Sequence, residues 1–395
     1  MSRRKRVLFV SESVTLAQIV RLSMLASALD RDRYEIHFAA TDFPTYVDFP
    51  VQRWPLWGIS AATAQARLAA GRRLYTSRVL RRYVKADLEM IDAVRPDLIV
   101  GDLRWSLAVS APSRKVPLAN LINAYWSPHA RRDSFPLPDH PVVRWLGEPL
   151  AAKYFPRALP WVFRYFAAPL NRERERAGLA PLGDLLDVLG FGDFVLYADP
   201  PEMVDMQTLP PTHRFLGAIP WSAKGTLPDG WGQTGTPIYV TMGSSGSERC
   251  GPIVLAALSR LPLDILWSTA GHPVRQRVPG NVRAVPFADG RAACVRARLV
   301  IHNGGSSTGY QALSEGTPVL GIPTNLDQYL ASERIDAQGA GLMLRSGSLR
   351  PDAVAGAVER LLGDPAIKSN AEKLGRLFSH HDAGENFRQF VAAAI

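Results

Sequence analysis

Short apolar runs, each followed by a stretch with helical spacing, recur in two passes along this chain, and that alternation restricts it to a parallel-sheet α/β architecture. Residues 6–11 (RVLFVS) form the first run, and residues 17–29 then repeat apolar positions at the helical period. Residues 34–40 return to a strand, one long helix with basic pairs is expected over 64–94, and 97–101 is a further short buried strand. A strand that leads through a helix into the next strand lies parallel to it, because the crossover brings the chain back to the same end of the sheet. From 127 to 232 the rhythm weakens. That segment is rich in Pro and aromatic residues and reads as an irregular subregion, closing on a linker marked by Pro210, Pro211, Pro228, Gly230, Gly232 and Gly235.

The second pass starts at Pro237. Strands are expected at 238–242, 264–268, 282–285, 299–302 and 319–321, with helices at 252–260, 291–296 and 307–315 and further helical segments to the C-terminus. The reading is two doubly wound domains, 1–232 and 233–376, with 377–395 as a helix returning toward the first. A cleft is expected between their strand carboxyl ends.

Composition narrows what such a chain can do. At 47% hydrophobic and 21% charged it can bury a core and is not a disordered segment. Cys250 and Cys294 are too few for a disulfide framework or a zinc tetrad. Residues 1–6 (MSRRKR) are basic, but the apolar run behind them is short, is interrupted by Ser11 and Glu12, and lacks a cleavage-site pattern, which argues for a cytoplasmic protein. No stretch approaches the roughly 20 apolar residues of a membrane-spanning helix.

The formal charge of +10 invites a nucleic-acid reading. The basic residues are dispersed, however, in Arg72-Arg73, Arg81-Arg82, Arg131-Arg132 and an Arg/Glu alternation over 172–176, which is the pattern of solvated faces. No nucleic-acid partner is expected. An anionic substrate or an anionic lipid surface fits the charge equally, and Trp145, Trp161, Phe163, Tyr165 and Phe166 make one region apolar, so peripheral membrane contact stays open. The sequence does not fix the oligomeric state.

Chemistry enters at three strand ends. Gly243-Ser244-Ser245-Gly246 follows a strand directly; glycines let backbone N–H groups approach an anion, and serine hydroxyls donate beside them. The same run would also serve as a plain turn. The run His302-Asn-Gly304-Gly305-Ser306-Ser307-Thr308-Gly309 carries a strand through glycines into a helix, whose first turn offers unpaired N–H donors and a partial positive charge suited to a diphosphate. His302 could donate to the same oxygens. After the strand that closes at Pro323, Asp327 and Gln328 open a helix: Asp327 suits an N-cap, and the pair also suits binding of several hydroxyls. GxGxxG and Walker A patterns are absent, which excludes those nucleotide fingerprints.

The run over 302–328, HNGGSSTGYQALSEGTPVLGIPTNLDQ, resembles the donor-binding signature of the UDP-glucuronosyl/UDP-glucosyl transferase family of GT-B glycosyltransferases, and the resemblance extends more thinly over nearly the whole chain. It implies two Rossmann-like domains facing across a cleft, an acceptor held by the N-terminal one, a UDP- or dTDP-linked sugar held by the C-terminal one as co-substrate, and no metal or other cofactor. On that resemblance Gly243, Ser244 and Ser245 match a phosphate-side loop. His302, Gly304, Gly305, Ser306, Ser307 and Thr308 match the diphosphate contacts, and Asp327 and Gln328 match the pair that reads sugar hydroxyls. Phe287 sits where the family often stacks a Trp on the base, a place a core Phe would fill equally. Tyr310 stands where plant members carry a ribose-binding Glu.

The loop over 13–21 resembles the one that usually supplies a catalytic His, and Gln18 stands in its place. A carboxamide cannot take a proton near neutral pH, so another base is needed. Asp102 matches the Asp that normally orients that His and is the first candidate, with Gln18 orienting it or the acceptor. Glu12 is the second; His129 and His140 are third. Trp126 and His129 begin the aromatic stretch 126–166, which reads as either an acceptor wall or subdomain packing. The resulting expectation is an inverting, metal-independent hexosyl or deoxyhexosyl transfer to a hydroxyl of a hydrophobic acceptor. A non-catalytic nucleotide-sugar-binding partner of another transferase, or an epimerase or hydrolase of the same fold, are the alternatives.

Overall fold

The computed structural model describes residues 3–45, 47, 51–223, 225–243, 246, 249–274 and 277–395, apart from the side chain at position 144. Its contacts divide the chain into two compact units. The first comprises 1–134, 145–219 and 381–395, and the second 135–144 and 220–380.

In the first unit the strands are β1 (Lys5–Ser11), β2 (Tyr34–Ala40), β3 (Gln52–Pro55), β4 (Leu98–Asp102), β5 (Leu118–Ile122), β6 (Phe194–Tyr197) and β7 (His213–Phe215). They form a sheet of order β3-β2-β1-β4-β5-β6-β7, each neighbouring pair parallel. Helices α1 (Leu16–Ala28), α2 (Ala61–Ala69), α3 (Ser77–Val94), α4 (Leu107–Arg114), α5 (Pro141–Leu146), α6 (Glu148–Arg176) and α7 (Leu185–Leu189) connect them, α5 spanning the boundary between the units. In the second unit β8 (Thr236–Thr241), β9 (Leu263–Ser268), β10 (Val282–Val285), β11 (Leu299–His302), β12 (Val319–Gly321) and β13 (Gly341–Met343) take the order β10-β9-β8-β11-β12-β13, again all parallel. Its helices are α8 (Cys250–Leu258), α9 (Gly290–Arg296), α10 (Ser306–Ser314), α11 (Leu326–Ala337), α12 (Pro351–Gly363) and α13 (Pro365–Phe378). The last helix, α14 (Ala383–Ala394), packs in the first unit, where Phe387 meets Phe9.

Both sheets are near-continuous apolar strands covered on two faces, as parallel sheets require. Leu8, Val10, Ile99 and Leu107 pack in one cluster of the first unit, and Ile238, Val240, Ile265 and Ile301 centre that of the second. Each sheet reverses its winding once, between β1 and β4 and between β8 and β11. That is the switch point, where adjacent crossovers leave in opposite directions and open a crevice beyond the strand ends.

Three local expectations are corrected. The helix expected over 64–94 is two, α2 and α3, because Gly71 takes a positive φ of 62° between them. The region expected to be irregular contains α6, the longest helix described, despite Pro156, Pro160 and Pro169 within it. Its buried face, with Leu159, Phe163, Ala167 and Leu170, holds it helical by packing against α3 and α4. The first domain, expected to run to 232, ends earlier, because the chain from Pro220 belongs to the second unit: Trp231 is fully buried and its Nε1 donates to Asp264 O at 3.0 Å. Residues 135–144 also join the second unit, where Asp139 accepts from the Tyr329 hydroxyl at 3.0 Å and from Gly347 N at 3.0 Å.

Candidate active site

Of the sequence-predicted residues, His302, Gly243, Asp102 and Glu12 stand at the two switch points. In the second unit His302 ends β11 in register with Thr241, the last residue of β8. Gly243, just beyond β8, has a φ of 59°, and a Cβ there would lie 3.2 Å from Asn303 Nδ2, so the two strand-end loops touch. Ser244 and Ser245 lie outside the described residues.

His302 is fully buried. Its Nδ1 accepts from Gly304 N at 3.1 Å, which fixes the proton of the neutral ring on Nε2. Among the described residues, Nε2 has no hydrogen-bond partner. Burial pulls the pKa of the ring down to about 4, so it is a neutral donor across the physiological range. The ring lies under α10 against Gly309, where a Cβ would stand 3.3 Å from His302 Cε1.

Gly305 caps α10, with its N–H given to Asn303 Oδ1 at 3.3 Å, and Ser306, Ser307 and Thr308 form the first turn. Ser306 is buried, while Ser307 and Thr308 are half-buried. First-turn N–H groups have no acceptor inside their helix and carry the positive end of its dipole, so this end of α10 suits a phosphate group.

Gly304 makes the turn possible. Its φ is 80°, and a Cβ there would come 2.6 Å from Ser332 Oγ and 3.1 Å from Pro323 Cβ. Ser332 Oγ in turn donates to Gly304 O at 3.2 Å. Gly304→Ala is therefore expected to lose about 1–3 kcal/mol to backbone strain alone, read as a fall in Tm of several degrees.

At the head of α11 the structure corrects the sequence reading. The N-cap is Asn325, whose side chain accepts from Gln328 N at 3.1 Å, while Asp327 is an exposed first-turn residue. Gln328 is buried, and its Oε1 accepts from Thr324 N and Thr324 Oγ1, both at 2.9 Å, tying down the loop before the helix. Phe287 follows β10 and is half-buried near Gly271. Tyr310 is buried edge-on to Phe378, a core position. Among the described residues, no three His, Cys, Asp or Glu side chains come together as a metal site would need.

The switch point of the first unit brings Asp102 and Glu12 together: Ser11 pairs with Asp102 in the sheet, and Glu12 N donates to Asp102 O at 3.1 Å. Gln18 does not reach them. At the third position of α1 it turns back, its Oε1 accepting from Thr15 N at 2.8 Å to close a capping box. Arg21, one turn further along, engages Asp102 instead: Nη2 donates to Oδ1 at 2.9 Å and Nε to Oδ2 at 3.1 Å. Arg21 Nη1 also donates to Asn123 Oδ1 at 2.7 Å, and Asn123 Nδ2 to Asp199 Oδ1 at 3.0 Å. This buried run along the ends of β4, β5 and β6 was missed from the sequence. The signal available was a lone Arg amid the apolar residues Ile19, Val20 and Leu22.

Glu12 lies in a closed box. Its Oε1 accepts from the Tyr83 hydroxyl at 3.0 Å, and Oε2 is 3.8 Å from Arg104 Nη1. Burial raises its pKa, outweighing Arg104 and the tyrosine hydroxyls of Tyr75 and Tyr83 that lower it. Trp126 ends a short turn after β5 and is half-buried against the apolar cluster of Trp105 and Leu189. His129 sits edge-on to His213, ring centroids 5.2 Å apart, and His213 shares a 2.8 Å hydrogen bond with the Tyr197 hydroxyl. His140 Nδ1 accepts from Val142 N at 3.1 Å, in the segment that joins the second unit.

Known proteins share the sequence and the fold. Residues 253–379 match the family model "Erythromycin biosynthesis protein CIII-like, C-terminal domain". A PGL/p-HBAD biosynthesis glycosyltransferase of Mycobacterium tuberculosis (strain ATCC 25177 / H37Ra) is 39% identical over 403 residues, covering 100% of this chain and 93% of the relative. A PGL/p-HBAD biosynthesis rhamnosyltransferase of Mycobacterium bovis (strain BCG / Pasteur 1173P2) is 40% identical over 402 residues, covering 100% and 88%. Among solved structures, the calicheamicin glycosyltransferase CalG4 superposes with a TM-score of 0.74 at 18% identity, covering 100% of this chain and 98% of that one. Glycosyltransferase VinC in complex with DTDP gives 0.71 at 20%, covering 98% and 99%.

Two doubly wound parallel sheets, with a glycine-built strand-to-helix turn at the second switch point, define the GT-B fold, and the relatives at 39–40% identity over the whole chain make it a bacterial glycosyltransferase. Within that class, the chain belongs to the family of the PGL/p-HBAD biosynthesis glycosyltransferases.

Proposed function

We propose that this chain transfers a hexose or deoxyhexose from a UDP- or dTDP-linked donor to a hydroxyl of a hydrophobic acceptor, with inversion at the anomeric carbon and without a metal. The observation that carries the donor site is the Nε2–H of His302, buried beneath α10 and with no partner among the described residues. A dTDP-linked deoxyhexose is the favoured donor, since the Mycobacterium bovis relative is a rhamnosyltransferase and the VinC structure holds DTDP. The diphosphate sits at the head of α10, taking hydrogen bonds from its N–H groups, Ser307, Thr308 and His302. These stabilise the charge that develops as the sugar–phosphate bond breaks. On the family resemblance Gly243, Ser244 and Ser245 bind phosphate, Phe287 lies against the base, and Asp327 and Gln328 meet the sugar hydroxyls. Trp126 and His129 serve the acceptor.

The acceptor oxygen attacks the anomeric carbon from the face opposite the departing diphosphate, and its proton passes to Asp102. Arg21 holds the Asp102 carboxylate in place through hydrogen bonds from Nε and Nη2, and Asn123 links that pair to the second carboxylate, Asp199. Purified chain incubated with UDP- and dTDP-sugars should release nucleoside diphosphate over many turnovers only when acceptor is present. Release without acceptor, or no turnover, would overturn the assignment. Asp102→Asn is expected to lower kcat by about 10²–10⁴-fold while leaving dTDP-induced thermal stabilisation in place. If Asp102→Asn stays within severalfold and Glu12→Gln falls instead, the base is Glu12.

A further inference from the structure

Helix α6 is amphipathic in an unusual sense, because the face turned away from its core carries aromatic residues. Leu159, Phe163, Ala167 and Leu170 are buried on one side. At 100° per residue, Leu150, Tyr154, Trp161 and Tyr165 fall within a band about 60° wide on the opposite side, extending about 22 Å along the helix. All four are exposed, Trp161 to 72%, and Trp145 on the preceding helix α5 is exposed to 83%. Lys153, Arg157 and Arg164, also exposed, line one edge of that band, with Arg164 over the ring of Trp161 and Lys153 over that of Tyr154. Arg73 stacks on Tyr165 at 3.5 Å. From 149 to 172 the helix has no Asp or Glu. Among the described residues, no helix is long and apolar enough to cross a membrane.

We propose that this face of α6 docks on the surface of an anionic lipid bilayer, the rings of Trp145, Tyr154 and Trp161 lying at headgroup depth and Lys153, Arg157 and Arg164 meeting lipid phosphates. Charge complementarity selects the occupant. A one-sided row of cations beside Trp and Tyr, with no carboxylate between, matches the chemistry of an anionic interface, where aromatic rings take the boundary and long basic side chains reach the phosphates. The surface is independent of the donor assignment and would hold with any catalytic base.

The test is co-sedimentation of the purified full chain with vesicles of phosphatidylcholine alone and of phosphatidylcholine mixed with phosphatidylglycerol. Binding is expected to the mixed vesicles, to weaken with salt, and to be far lower on phosphatidylcholine. The Lys153→Gln, Arg157→Gln, Arg164→Gln triple variant should bind the mixed vesicles about 10²-fold more weakly, at roughly fivefold per cation. Trp145→Ala with Trp161→Ala should cost about tenfold or more from lost apolar burial. Because these side chains are exposed, the unfolding midpoints of both variants should equal the parent's, which separates docking from misfolding. Equal binding to both vesicle types, or variants that bind as the parent does, would overturn the proposal. So would a lipid-free dimer that Trp161→Ala dissociates, since the face would then be an interface between copies.

Discussion

Replacing Arg104 by Met is expected to destabilise the first unit by about 3–5 kcal/mol, a large fraction of the 5–15 kcal/mol typical of a folded domain. The Arg104 side chain is fully buried. Its Nε and Nη2 donate to Asp87 Oδ1 at 3.1 and 2.8 Å, Nη2 also donates to Trp57 O at 3.1 Å, and the guanidinium lies 4.1 Å from the Tyr83 ring centroid. Methionine fills much of the volume but leaves Asp87 and Glu12 in the core with their shared cation gone. The sign with pH follows from Glu12, whose folded pKa is already raised by burial. An acid raised above its unfolded value contributes stability in full below that unfolded value and loses it as pH rises through the folded one. The variant should therefore lie closest to the parent in mild acid and furthest from it at alkaline pH. Urea titrations at two pH values measure this. Adding Glu12→Gln and Asp87→Leu to Arg104→Met should recover most of the loss, because it is the unpaired charges that are costly. A single variant within about 1 kcal/mol of the parent would show that the cluster is solvated by other means.

His302→Leu is expected to lower kcat/KM by about 10²–10³-fold, the effect of deleting one preorganised donor to a developing anion. His302→Gln, which can place an amide N–H near the position of Nε2, should restore part of it. The fold responds separately. With a folded pKa of about 4 against an unfolded value of 6.5, the unfolded chain binds the proton first on acidification. Stability tied to His302 is thus complete above the unfolded value and is lost as pH falls toward 4, about 3 kcal/mol in all. His302→Leu should not show that loss. Denaturant midpoints of parent and variant at pH 7 and pH 4.5 read it directly, and equal acid sensitivity in both would mean that the ring is not the buried neutral group described here. Over the neutral range the parent's rate should show no titration of this histidine, since it is already uncharged.

The parts of the molecule legible in the sequence are those encoded by near neighbours. Residues 6–11, 34–40, 238–242 and 299–302 were readable as strands because buried parallel strands are continuous apolar runs, and the turn at Gly304 was readable because only glycine adopts its backbone there without strain. Helix α6 was hidden by its three prolines, each of which counts against a helix locally, and only the packing of Phe163 and its neighbours outweighs them. The short strands β3, β6 and β7 carry little periodicity of their own and form because a longer neighbour offers them a ladder of hydrogen bonds.

The sequence by itself determined the alternation of strands and helices, the strand-to-helix turns at Gly243 and Gly304, and the residue types standing at each strand end, since all of these follow from spacing within a few residues. Only the tertiary structure decided which polar atoms those residues meet. Gln18 and Gln328 turn back to backbone groups at their own helix ends, Arg21 reaches Asp102, and His302 keeps a buried proton with no acceptor among the described residues. Hydrogen-bond partners and burial depend on chain segments brought together over long separations, as from Arg21 to Asp102, and no local pattern carries that information.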